Sequence, residues 1–160
     1  MMTKEQINTY TMRITQANTS GLAVVLYDMV LDYIKESREA YENGETEEYE
    51  RKLQQAQAGL QQLMQMSRMD TQVGCDVMSL YLFIDRQLLM SIVKRQPVHL
   101  TESIEYLNRL RAAFQEIHQA DTDAPLMQNT QQVYAGLTYG RGYLNENSDP
   151  MEAHNRGLKA

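Results

Sequence analysis

The chain is poor in cysteine and proline and has no basic block and no long apolar run, and each shortage removes a class of protein. A single cysteine, Cys75, cannot close an intrachain disulfide, which fits a reducing compartment. Lysines and arginines number 15 against 21 aspartates and glutamates, a formal charge of -6. Nucleic acid and anionic membrane surfaces carry the same sign, so neither is expected as a partner. The most apolar stretch, LAVVLYDMVLDYI from Leu22 to Ile34, is short for a bilayer and carries two carboxylates, so membrane insertion is not expected. The start MMTKEQINTY lacks the apolar core of a signal peptide. Together these features point to a soluble cytoplasmic protein.

Recognisable reaction chemistry is missing as well. A carboxylate-bridged metal pair in a helical bundle needs Glu-x-x-His motifs on two helices, and none occurs. His99, His118 and His154 stand apart without helical spacing to one another or a cysteine partner, and read as surface or helix-end histidines. Cys75 has no constellation around it that would make it a nucleophile and reads as a packing residue. Gly140 and Gly142 in YGRGY follow no strand and do not make a phosphate loop. Asp28 and Asp32, one helical turn apart, read as the solvent line of an apolar helix or as partners of arginines such as Arg86 or Arg111. No enzyme activity, metal or cofactor is expected.

What is present is helical periodicity. From about residue 19 to 120 apolar positions recur at three and four, and strand-like alternation is absent. A first long helix starts after Asn18-Thr19-Ser20, whose short polar side chains cap free amides, and stops near Asn43-Gly44. The same tripeptide matches a glycosylation acceptor, but without a signal peptide capping is the better use. A second helix covers about Thr46 to Arg68, a third about Thr71 to Arg95, and a fourth begins between Pro97 and Thr101 and ends near Ala120. Short connections between long helices predict an all-α, antiparallel up-and-down four-helix bundle with a short N-terminal segment. Residues 1–120 form the expected domain. Residues 121–160, with Pro125, Pro150 and four glycines, form a mostly irregular tail that includes the apolar run from Val133 to Leu144.

The second and fourth helices each show one apolar stripe, the width a bundle core takes. The first and third show two. On the first, one line is Leu22, Val25 or Leu26, Met29 and Tyr33, and another is Val24, Tyr27, Leu31 and Ile34. On the third, Val77, Leu80 or Tyr81, Ile84 and Leu88 make one line, and Met78, Leu82, Leu89 and Val93 the other. Each large apolar side chain removed from water contributes roughly 1.5–3 kcal/mol. The surplus lines are therefore expected to be covered by the stretch around Ile7, Tyr10, Met12 and Ile14, by the tail, by a second subunit or by a client. Eleven methionines favour a client, because flexible thioethers repack around amphipathic helices.

Several separated segments, in order, resemble the flagellin export chaperones of the FliS family. They are Tyr10, the helix start NTSGL, Leu26-Tyr27-Asp28, Ala56-Gln57, Leu80-Tyr81 with Ile84 and Leu88, and Leu110-Arg111-Ala112-Ala113-Phe114. The chain departs from the family's pattern at Gly21, where proline and acidic residues are usual, at Phe114, where tryptophan is frequent, and in the tail. The resemblance implies a cytoplasmic helical bundle that binds the C-terminal segment of flagellin in an apolar groove, prevents premature polymerisation, and delivers it to the flagellar type III export apparatus. Expected flagellin contacts are Tyr10, Leu22, Leu26, Tyr27, Ile84, Leu88 and Leu110, with Tyr10 as a lid that sits in the empty groove. Occupation of that groove by Val133 to Leu144 would be self-inhibition. The chain is expected to be a monomer or weak homodimer. The alternative is a homo-oligomeric structural bundle without a flagellin client.

Overall fold

The computed structural model describes residues 3–120 and 124–126. Within them lie five helices, α1 (Lys4–Gln16), α2 (Thr19–Glu42), α3 (Thr46–Met66), α4 (Gln72–Lys94) and α5 (Leu100–Ala120), and no strand. The all-α expectation stands. The Val133–Leu144 segment and His154 lie outside the described residues.

Local chemistry sets the helix ends. The Asn18 side chain accepts from the Gly21 amide at 3.0 Å to start α2, and the Thr71 hydroxyl accepts from the Gly74 amide at 3.0 Å to start α4. Past the end of α2, Gly44 takes φ +75°, the left-handed conformation that lets the chain turn directly into α3. Gly74 is fixed by space, since a Cβ there would lie 1.6 Å from the Arg68 carbonyl oxygen.

The element the sequence reading did not anticipate is α1. Its start is a reciprocal capping box: the Thr3 hydroxyl accepts from the Gln6 amide at 3.1 Å, and the Gln6 side-chain oxygen accepts from the Thr3 amide at 2.7 Å.

Helix α2 is the hub, packing on α3, α5 and α1, while α4 packs on α3 and α5. Gly59 lets α3 come close to α2, since a Cβ there would sit 2.7 Å from Cγ2 of Val30. The core holds Tyr27, Val30, Leu31 and Ile34 of α2 with Leu53, Ala56, Leu60 and Leu63 of α3, Tyr81, Ile84 and Leu88 of α4, and Leu100 and Leu107 of α5. Polar pairs cross this core. The Tyr27 and Tyr81 hydroxyls hydrogen-bond to each other, and the Tyr49 hydroxyl donates to the Ser91 carbonyl at 3.0 Å. Burial, and next the neighbouring Tyr81 hydroxyl, raise the pKa of Tyr27 far above the ordinary phenol value.

The two surplus apolar lines meet different fates. On α2, Val24, Val25 and Leu26 are all buried, so this helix is enclosed by its own chain and does not keep an open second face. On α4, Leu82, Leu89 and Val93 remain 57%, 49% and 68% exposed.

Candidate functional site

Val25, Asp28, Met29 and Asp32 recur at three and four and so share one side of α2. That side carries α1. The Arg13 guanidinium meets Asp28 at 2.8 Å, and the Tyr10 hydroxyl donates to the Asp32 carboxylate. Arg111 of α5 donates to Asp28 as well, so one carboxylate ties α1 and α5 to α2. This settles the reading of the two aspartates: Arg111 is a partner, Arg13 is a second, and Arg86 is not involved. Burial, and then the bond to Asp32, push the Tyr10 phenol well above its usual pKa, so it stays a hydrogen-bond donor at neutral pH.

The remainder of α1 is loosely engaged. Thr11 is buried, but Ile7 and Met12 are exposed, and α2 is the only helix that α1 packs against among the described residues. Its attachment therefore combines a modest apolar contact with two polar bonds at a half-buried edge.

Of the sequence-predicted contacts, Tyr10 sits on α1 in this latch. Leu22 and Leu110 are half-buried against the core, and Leu26 is buried at its edge. Tyr27, Ile84 and Leu88, also among the expected contacts, are core residues with 0% exposure. The reason is geometric. The Tyr27 ring is enclosed by Tyr81 and Phe114, at centroid distances of 6.3 and 5.5 Å, and Ile84 and Leu88 share the inner side of α4 with Tyr81. Arg13 was missed in the sequence, although a basic residue three positions after Tyr10 facing an Asp-x-x-x-Asp helix was a readable pattern.

Other candidate chemistry resolves into structure. His118 lies beside the start of α2, its Nδ1 3.2 Å from the Ser20 hydroxyl, and His99 Nδ1 lies 3.2 Å from Glu102. The Cys75 thiol donates to the Met69 carbonyl. Among the described residues no group of three or more His, Cys, Asp or Glu side chains is placed to hold a metal ion, and no helix is long and apolar enough to cross a membrane.

Asp85 of α4 has a buried, unpartnered Oδ1, and burial raises its pKa despite the Gln57 amide beside it. A carboxyl that binds its proton more tightly when folded favours the folded state at low pH. Its contribution is complete below the ordinary aspartate value of about 3.9 and is lost as pH rises through the raised folded value. Asp85→Asn is accordingly expected to be more stable than the parent at pH 7, with the difference shrinking towards pH 3. Melting temperatures of both across that range check it, and an Asn variant less stable at pH 7 would refute it.

A comparison with curated proteins returned no match. The family model described as "Flagellar protein FliS" matches residues 2–121. That span takes in all five helices, the α1 latch included, and three quarters of the sequence, and on it the chain belongs to the FliS family of flagellin export chaperones.

Proposed function

We propose that this chain is a cytoplasmic chaperone that holds the C-terminal segment of newly made flagellin, prevents its early polymerisation, and hands it to the flagellar type III export apparatus. In this reading α2 to α5 form an antiparallel up-and-down four-helix bundle within a domain of residues 1–120, and residues 121–160 are a separate tail. The observation that carries the reading is α1 itself, an amphipathic helix fastened to the outer side of α2 by Tyr10–Asp32 and Arg13–Asp28. A site that accepts one amphipathic helix from its own chain has the shape and the polar rim to accept another. The client segment takes the place of α1, with Leu22, Leu26 and Leu110 at the groove and Tyr27, Ile84 and Leu88 as the packed floor that holds it in shape.

If α1 must leave before the client binds, the latch subtracts from affinity. Tyr10→Phe removes one hydrogen bond, worth about 1 kcal/mol net, and the flagellin segment then binds about fivefold tighter. Removal of residues 1–16 has a larger effect of the same sign. Calorimetric titration with a synthetic flagellin C-terminal segment and a scrambled control reads both. Affinity unchanged by both changes would take α1 out of the path, and absence of binding to the intact chain would overturn the chaperone reading.

A further inference from the structure

The connection between α1 and α2 consists of Ala17 and Asn18 alone, and it is buried where connections are ordinarily exposed. These residues are 6% and 7% exposed. Two pieces of chain from the far end of the domain meet this joint. The His118 ring, near the end of α5, reaches the first turn of α2: besides the Ser20 contact, a Cβ on Gly21 would sit 2.9 Å from its Cε1. Beyond α5 the chain comes back to the joint itself, where the Leu126 amide donates to the Ala17 carbonyl at 3.0 Å. The Leu126 side chain is 53% exposed, so the backbone bond, and not apolar packing, is what fastens it there.

We propose that residues 124–126 are a strap across the α1–α2 joint, which keeps α1 seated on α2 and, through it, keeps the client site covered. The second half of this statement rests on the client reading above; the first does not.

Any departure of α1 from α2 turns about the backbone torsions of Ala17 and Asn18, because no other residue lies between the two helices. The bond to Leu126 holds the rigid peptide plane that those two residues share. Turning Asn18 about φ carries the Ala17 carbonyl away from its donor, and turning Ala17 takes a buried side chain out of its packing. Helix α1 thus has two fastenings of different origin. Tyr10 and Arg13 hold it along its length, and the strap holds its pivot. The strap lies beyond residues 2–121, so the family match does not account for it.

Hydrogen exchange of the full chain, read at the α1 amides from Ile7 to Ile14, tests the strap without a client. A detached helix of this length is marginal in water, so exchange there reports release from α2. Leu126→Pro deletes the donated N–H at a position outside every described helix, whereas Leu126→Ala keeps it. Exchange of the α1 amides is expected to be about fivefold faster in Leu126→Pro, the worth of one net hydrogen bond, with α3 amides unchanged and Leu126→Ala like the parent. The flagellin segment should then bind Leu126→Pro about fivefold tighter. Amides of α1 as slow in Leu126→Pro as in the parent overturn the proposal. So do equal acceleration in Leu126→Ala, equal acceleration in α3, and α1 amides already unprotected in the parent. Faster α1 exchange with unchanged flagellin affinity would uphold the strap and overturn the reading that α1 covers the client site.

Discussion

Lys52→Ala should lower the free energy of unfolding by about 3–5 kcal/mol, the cost of removing one member of a buried ion pair. The Lys52 residue is 2% exposed, and its ammonium lies 2.6 Å from Glu36 of α2, with Glu48 at 3.9 Å and the Tyr33 ring beneath it at 5.4 Å. The pair joins α3 to α2 along the most extensive helix contact in the fold. Truncation strips Glu36 of the cation facing it and leaves a hole where the aliphatic stem packed. Replacing both partners with apolar residues, Lys52→Met with Glu36→Leu, removes charge and counter-charge together and should return to within about 1 kcal/mol of the parent. Urea unfolding followed by circular dichroism measures all three chains. A loss under about 1 kcal/mol for Lys52→Ala would mean that water reaches the pair and screens it as on a surface.

Ile84→Ala should cost a similar amount, about 2–5 kcal/mol, by leaving a cavity among fully buried neighbours. The same variant separates packing from recognition. Ile84 is wholly enclosed, so at a temperature where the variant remains folded its affinity for the flagellin segment should stay within about threefold of the parent's. A tenfold or greater loss of affinity in a folded variant would show that the client reaches Ile84 through a rearrangement of α4. Thermal unfolding and titration calorimetry on one preparation give both numbers.

The long helices were readable because each announces itself twice, in apolar spacing and in a cap. Asn18, Thr71 and Gly44 do at their helix ends what their chemistry suggests, and α2 to α5 begin and end within about two residues of the expected bounds. Helix α1 escaped because its apolar residues are sparse and its attachment is polar: Tyr10 and Arg13 bond to carboxylates that sequence alone shows only as a pair one turn apart. The core-versus-surface assignment of Tyr27, Ile84 and Leu88 was out of reach for a different reason. Two apolar lines on one helix are equivalent in sequence, and only the placement of α3 and α5 decides which turns inward. Lys52 reads as a solvated charge on a glutamine-rich helix, and nothing local says that Glu36, on another helix, will bury it.

The Asp28–Arg111 pair links positions 83 residues apart, and the Ser20–His118 contact links positions 98 apart. On a growing chain, α2 can be joined early by α1 and α3, which flank it in sequence, but its remaining side waits for almost the whole domain to be synthesised. Until α5 emerges, Tyr27 lacks the Phe114 ring beside it and Asp28 lacks one of its two arginines. The last of the described helices is thus the one that completes the first long helix, and a nascent chain has the α1 latch available before it has a finished core. Readiness to receive a client is in this sense a late event of biosynthesis, timed by the distance between α2 and α5 along the chain.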